Sequence, residues 1–416
     1  MDLKNLFVNI ISFVLICVGC ILLYKFRRSE VVEVRILNDV KANLTLIENN
    51  VSPALNLSKN ETSTWGYVFI NDPVGGLGDR LRAAILGYYI ALLTNRSLKV
   101  DGTRVWKDDQ CSHFCSNNVN WKASKEEKEL LTSQNVTRVS LTFYLKNGEL
   151  VGDQIDFEKL KKVEVISLKT NSLNLKLLGD NPILKESPKF QFFNELHQKG
   201  LLSQHALRSL FKPGKNVQSH LEALQREYWP TNNTFRIGMH IRTGDNARLT
   251  SNTKRKFHDQ RVVQFERTKC FASKAISIWE GKQKEEKING SVIFFISSDL
   301  IDHEEAIIQI IESKGYRIFR NNNLGEAKHI AKTSVDQIRT FVDWWTLVNM
   351  DVILLPVSGF SEFASKYSCT PSYLFFETGG SDCDKLFTPY IGNGFCQKEF
   401  DETHLQKTKA VPIYNK

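Results

Sequence analysis

The chain has 416 residues, of which 42% are hydrophobic and 24% charged. That balance excludes wholesale disorder, and the length favours two lobes with accessory segments over a single core. The formal charge of +9 fits nucleic acid, an anionic membrane surface, a phosphate-bearing substrate or a lysine-rich solvated surface, and alone selects none of them.

From Leu6 to Tyr24 the sequence reads LFVNIISFVLICVGCILLY, nineteen residues with Asn9 and Ser12 as the clearly polar interruptions. At ~1.5 Å rise per residue such a helix spans about the ~30 Å hydrocarbon core of a bilayer. The run ends at Lys25, Arg27 and Arg28. A cleaved signal peptide is the alternative, but the apolar stretch is long for one and no small-x-small cleavage site follows. Residues 1–28 therefore read as a cytoplasmic tail and signal-anchor. Lys4 before the span and three basic residues after it favour a cytoplasmic C-terminus. The Asn-x-Ser/Thr tripeptides argue the other way. They begin at Asn43, Asn50, Asn56, Asn60, Asn95, Asn135, Asn232 and Asn289, and four of the eight crowd into residues 43–62. These sequons have meaning only in a lumenal segment. The large domain is expected to be lumenal, on a polar, glycan-bearing stem over residues 29–63.

Folded structure is expected from about residue 64. WGYVFI is an aromatic and β-branched run of strand length, followed by the turn NDPVGGLGDR. In RLRAAILGYYIALLTN, Leu81, Ile85, Tyr88, Tyr89 and Leu92 recur at helical spacing, and LKVD reads as a second strand. Strand, glycine turn, helix and strand make a βαβ unit. Residues 105–230 are less legible, with charged helical patches such as KEEKELL and LHQKGLLSQHALRSLF. From Phe235 a second series appears: the strands FRIGMHIR, SVIFFISSD, YRIFR and MDVILLP alternate with helices around EEAIIQIIE and SVDQIRTFVDWWTLVN. This predicts a second parallel α/β lobe, and two such lobes with ligand loops at the carboxyl ends of their strands enclose a cleft. The expected fold is α/β of GT-B type, with two Rossmann-like lobes facing across a cleft. The N-terminal lobe would cover 64–230, a second, ligand-binding lobe 231–380 and a C-terminal extension 381–416.

Three stretches carry candidate chemistry. GGLGDRLRAA places Gly75, Gly76 and Gly78 before a helix, where backbone amides can approach an anion. It lacks the GK[ST] of a P-loop and the spacing of GxGxxG. IGMHIRTGD ends a strand and delivers His240, Arg242 and Asp245 to its carboxyl edge. Arginine there can grip a diphosphate bidentately, although an Arg–Asp pair at a strand end can also serve structure alone. FFISSD brings Asp299 to the end of a buried strand. In LLPVSGFSEFAS, Ser358, Gly359 and Ser361 offer hydroxyl and amide donors at a helix start suited to phosphate. The plainer readings are an ordinary N-cap for Ser358 and a capping carboxylate for Asp299.

Taken together and in this order, the stretches resemble the GDP-fucose-dependent fucosyltransferase superfamily of α1,2-, α1,6- and protein O-fucosyltransferases. IGMHIRTGD is similar to its HxRxxD signature, with Thr243 where several members carry a second arginine. GGLGD is similar to its GGLGN turn, with Asp79 in place of asparagine, and SSD and SGFS resemble its remaining nucleotide-site blocks. The likeness covers roughly residues 67–101 and 235–366. It implies GDP-fucose as donor substrate, Arg242 on the β-phosphate, His240 and Asp245 shaping the site, and Asp299 accepting from guanine or ribose. It also implies inversion at the anomeric carbon without a metal. The base for the acceptor hydroxyl would be Asp79 or Asp245.

On this reading the chain transfers fucose to a glycan, by α1,2- or α1,6-type linkage, as a single-pass type II Golgi membrane protein. Its partners would be the nucleotide-sugar donor, a glycan or glycoprotein acceptor and, through the N-terminal helix, the membrane; no nucleic-acid partner and no separate cofactor are expected. Alternatives are another nucleotide sugar, a protein acceptor, or an inactive membrane-anchored binding protein, since fold does not fix function. No metal site is expected: Asp108–Asp109 reads as a solvated pair, and Cys111 and Cys115 lack a CxxC or HxxxH partner. Outside the apolar run, which holds Cys17 and Cys20, six cysteines remain: Cys111, Cys115, Cys270, Cys369, Cys383 and Cys396. Their even number allows three disulfides.

Overall fold

The computed structural model describes residues 66–391, apart from 72–74, 107–110, 147–148, 153–156, 161, 172, 174, 183, 231–232, 244–262, 287–289, 325–333 and 377–381. These lie in one compact unit, Thr62–Lys416; the other unit, Met1–Glu61, is outside the described residues, as are the whole of the expected anchor and of the expected stem. Among the described residues no helix is long and apolar enough to cross a membrane.

The first sheet begins with β1 (Tyr67–Ile70), the glycine turn, helix α1 (Leu77–Leu93) and β2 (Ser97–Val100), the βαβ unit expected from sequence. The short strand β3 (Phe114–Ser116) stands outside this sheet; β4 (Arg138–Lys146), β5 (Glu149–Gly152) and β6 (Val165–Thr170) complete it in the order β2-β1-β6-β4-β5. All its pairings are parallel except the β4–β5 hairpin. Helix α1 is less amphipathic than its spacing suggests. Nearly every side from Leu81 to Leu93 is buried, as expected of a helix covered all round. The sheet takes one side, where an added methyl at Gly87 would meet Ile70, Leu98 and Leu168. Helix α2 (Leu202–Leu210) covers another, Tyr89 donating to the Leu202 carbonyl at 2.8 Å.

The poorly legible middle is an aromatic weld. Strand β7 (Phe211–Pro213) pairs antiparallel with β3 and is followed by helix α3 (Lys215–Tyr228). Phe114, Trp106, Trp121 and Phe211 pack edge to face or tilted, and Phe114 also meets Phe341, Trp344 and Trp345 from the second half of the chain.

The second sheet runs from β8 (Thr234–Ile241) through helix α4 (Phe265–Glu286), β9 (Ser291–Ser298), α5 (Ile301–Ser313), β10 (Arg317–Phe319), α6 (Ser334–Val348), β11 (Val352–Leu355), α7 (Gly359–Ser368) and β12 (Ser372–Phe375) to β13 (Phe387–Ile391). Its order is β10-β9-β8-β11-β12-β13, parallel up to the antiparallel edge strand β13. The first five strands follow the order of a dinucleotide-binding fold, with the chain reversing direction across the sheet between β8 and β11. The crevice at the carboxyl ends of those two strands is where such sheets bind ligands.

Helices α1 and α7 meet head to head. A Cβ at Gly78 would lie 2.7 to 2.9 Å from backbone atoms of Gly359 and Phe360, so only hydrogen fits between the two first turns. Cys270 and Cys383 form a disulfide that ties α4 to the segment before β13, and Cys369 is disulfide-bonded as well. The three disulfides that six cysteines allow are not realised, because Cys111 and Cys115 are not disulfide-bonded.

Two outcomes follow from this packing. Gly78→Ala should lower the unfolding free energy by about 1–3 kcal/mol through overpacking against backbone. Gly281→Ala, where an added methyl meets nothing within 4 Å on helix α4, should raise it by about 0.4–1 kcal/mol. Urea titration of both variants checks this, and equal effects would mean that the α1–α7 contact is not tight. Replacing Cys270 and Cys383 by serine should cost about 2–5 kcal/mol, and reductant, which also opens the Cys369 disulfide, should cost the wild type at least as much in the same titration.

Candidate active site

The site is assembled from four strand ends and two helix starts. Strand β8 is buried through its last five residues, ending at His240 and Ile241. His240 shares a 2.8 Å hydrogen bond between Nδ1 and the Ser361 hydroxyl, and its ring lies 4.9 Å from that of Phe360. This fixes β8 to the first turn of α7. Arg242 follows, half-buried, and its carbonyl accepts from the Val263 amide at 2.8 Å. Thr243 is buried and gives both its amide (2.8 Å) and its hydroxyl (2.5 Å) to Oδ1 of Asp299. Asp299 therefore staples the end of β9 to the loop leaving β8. Asp245 lies outside the described residues.

The start of α7 differs from an ordinary capped helix. Ser358 occupies the N-cap position in extended conformation and is buried, but makes no side-chain cap hydrogen bond. The first-turn amides of an α-helix have no intrahelical acceptor, so Gly359, Phe360 and Ser361 turn donors toward the crevice end of β11. The Ser361 hydroxyl itself is engaged with His240.

Facing it, α1 starts at Gly76, again without a side-chain cap. Gly75 has φ 107°, and a Cβ there would lie 2.0 Å from Asp79 Oδ2, so the turn closes only because Gly75 lets the carboxylate fold over it. Asp79 Oδ1 accepts from Arg82 at 2.9 Å, and Arg82 also reaches Glu362 on α7 at 3.6 Å. Glu362 further pairs with Lys366 (3.0 Å) and accepts from the Tyr390 hydroxyl (3.3 Å). Burial pushes the Glu362 carboxyl up, but Lys366 and Arg82 outweigh it and hold it below the usual carboxylate range. Two positive helix ends and one carboxylate from each helix's first turn thus sit together.

Sequence reasoning passed over Arg80, Arg82 and Glu362. Arg80 is half-buried, and its Nε has no hydrogen-bond partner among the described residues. Burial lowers its affinity for its proton, with Asp79 pulling the other way. A signal was present. Cations are disfavoured in the first turn of a helix, so Arg80, the fourth residue of a helix beginning at Leu77, marks an electrostatic exception. Gly75, Gly76, Gly78, Asp79, His240, Ser358, Gly359 and Ser361 are brought together directly. Asp299 joins them through Thr243. Among the described residues no group of three His, Cys, Asp or Glu side chains is placed to hold a metal ion.

No protein-family model matches the sequence, and no curated protein matches it. Solved structures do. An Arabidopsis thaliana FUT1 mutant in complex with GDP aligns at TM-score 0.52 and 15% identity, covering 82% of this chain and 77% of that one. NodZ alpha-1,6-fucosyltransferase co-crystallized with GDP aligns at TM-score 0.43 and 12% identity, over 79% of this chain and 98% of that one. POFUT1 in complex with GDP aligns at TM-score 0.44 and 11% identity, over 75% and 99%. On the first of these, the chain has the α/β fold, with parallel sheets flanked by helices, of the Arabidopsis protein.

Proposed function

We propose that the chain is a glycosyltransferase that takes fucose from GDP-fucose and passes it, with inversion and without a metal, to a glycan hydroxyl in an α1,2- or α1,6-type linkage. The observation that carries this reading is the placement of Arg242 and the uncapped start of α7 at the ends of β8 and β11, the switch point of the sheet. A nucleoside diphosphate laid there meets a permanent cation and oriented amides.

In the transfer, the bond between the anomeric carbon and the β-phosphate oxygen breaks while the acceptor oxygen attacks from the opposite face. Negative charge grows on the departing diphosphate. Arg242 and the amides of residues 359–361 are fixed before the reaction and stabilise that charge without reorganising. His240, held by Ser361, keeps the end of β8 in register with α7. The acceptor proton must go to a base. Asp79 is the described candidate, and its ion pair with Arg82 has to loosen for it to accept; Asp245 is the other. The resemblance of the motifs, the apolar run at Leu6–Tyr24 and the sequons support a type II Golgi anchor, a lumenal domain from about residue 64 and a glycan or glycoprotein acceptor.

A second reading draws on the same ion pair. If Asp79 stays bound to Arg82 and no other base serves, the chain binds a nucleotide sugar without transferring it. Calorimetry with the full-length chain in detergent, without metal, compares GDP with UDP and CMP. GDP is expected to bind preferentially. Arg242→Ala should weaken it by about 10–100-fold, the value of a charge-assisted hydrogen bond, and lower transfer by about 10²–10³, with the denaturation midpoint unchanged. Transfer within a few-fold of wild type in Arg242→Ala would overturn the donor-site assignment. GDP binding with no transfer to any glycan would favour the binding protein.

A further inference from the structure

We infer that Glu304 is a positioning residue of the nucleotide site, holding the turn after β9 that in turn fixes the loop carrying Arg242. The inference rests on the reading of that site as a GDP site. Glu304 stands in the first turn of α5 and is 1% exposed. Its Oε1 accepts the backbone N–H of Ser298 at 3.0 Å and a hydrogen bond from Arg339 of α6. Its Oε2 lies 3.5 Å from Arg320, just beyond β10.

The neighbouring residue has its own buried carboxylate. The Ser297 hydroxyl donates to Asp343 Oδ2 at 2.8 Å, Asn321 donates to Oδ1 at 2.6 Å, and Arg339 Nε sits 3.6 Å from Asp343. The last two residues of β9 are therefore each tied to a different buried acid, with Arg339 joining the two acids. The next residue is Asp299, whose Oδ1 holds the amide and hydroxyl of Thr243, directly after Arg242. The path from Glu304 to Arg242 is thus one backbone hydrogen bond, one turn residue and one two-pronged carboxylate link.

Stability alone does not account for this arrangement. Buried ion pairs of this kind contribute little net stability, because desolvation offsets the attraction, and apolar residues of like volume do as well or better. What charge supplies here is geometry. A ligand-gripping arginine has to be held within about 0.5 Å of its productive place, and it leaves the rigid strand just where the loop begins. Fixing a neighbouring amide and hydroxyl from a turn that is itself anchored in a buried network does that.

The network also makes the anchor pH-dependent. Burial pushes the Glu304 carboxyl up to about 7, with Arg339 pulling it down and Asp343 pushing it up. The charged groups around it are Arg339 and Asp343 from α6, Arg320 after β10 and Asp299 at the β9 turn. On its own helix, Glu305 shares Arg320, and His303 bonds to Thr268 of α4. Protonation of Glu304 as pH falls through 7 removes the charge that holds Arg339, and the β9 turn loosens.

The test is calorimetric GDP binding to the full-length chain in detergent across pH 5.5–8.5, for wild type, Glu304→Gln and the control Glu305→Gln. GDP's own terminal phosphate titrates in all three, so the informative quantity is the difference between profiles. Glu304→Gln is expected to bind GDP about five- to tenfold more weakly at pH 8 and to converge on wild type near pH 6. Glu305→Gln should follow wild type. If wild type binds GDP and Glu304→Gln shows the same affinities and the same profile, the positioning role is overturned while the site reading stands. If wild type binds no GDP at any pH, the site reading itself fails. Should Glu304→Gln not fold, Glu304→Asp replaces it: retained charge with a shortened reach is expected to weaken binding at pH 8, and unchanged binding overturns the proposal.

Discussion

The meeting of α1 and α7, glycine against glycine, is the constraint on which the rest depends. Gly78 and Gly359 let two helix starts approach until their backbones touch. Aligned peptide dipoles make each start the equivalent of about half a positive charge, so the approach is repulsive unless anions are supplied. Asp79 and Glu362 supply them from the first turn of each helix, and Arg82 bridges the pair. The junction also sets the site. Gly359 begins the helix whose first turn holds His240 through Ser361, and Gly78 lies in the first turn of the helix that buries itself against the first sheet. One close contact thereby gives the β8 edge, the β11 edge and the glycine turn a common origin.

A second constraint runs beneath the neighbouring strand end. Ser297 and Ser298 could have ended β9 as apolar residues in an apolar layer. Instead the Ser297 hydroxyl engages Asp343 while the Ser298 backbone amide engages Glu304, and those acids need Arg339 and Arg320. For a raised carboxyl the linkage has a definite sign: the protonated form is favoured more in the folded state than in the unfolded one. Stability from Glu304 is therefore fully present below its unfolded value and is lost as pH rises through about 7. Ordering of the turn runs the opposite way, since the carboxylate is what grips Arg339. Such opposition between stability and site order is expected where a structure maintains a functional geometry rather than its own lowest energy.

Legibility in the sequence followed the range of the forces involved. Strands β8, β9 and β11 were readable because strands buried on both faces are near-continuous apolar runs, and α1 because of its spacing. The all-round burial of α1 was not, since its outer cover comes from Leu202–Leu210, more than a hundred residues away. The middle stayed obscure for the same reason: β3 and β7 are three residues each, and Phe114 finds its partners at Phe211, Phe341 and Trp344. In the site, Arg242 and His240 stood out as polar residues ending an apolar strand. Glu304 did not, because EEAIIQIIE reads as a helix with its acids in water. Ser358 read equally well as an N-cap, which only the geometry distinguishes.

Among the described residues, the electrostatics of the junction leave one group, Arg80, incompletely matched. Arg82 is matched by Asp79 and Glu362, and Lys366 by Glu362. Arg80 shares only the field of Asp79, which already holds Arg82, and its Nε is buried without a hydrogen-bond partner among the described residues. Burying a guanidinium donor unsatisfied costs about 1–3 kcal/mol, on a helix turn whose dipole already disfavours a cation. A solvated surface charge has no reason to occupy that place. On the proposed reading, a nucleoside diphosphate at the carboxyl ends of β8 and β11, beside that junction, is the anion that would offset the positive charge gathered there.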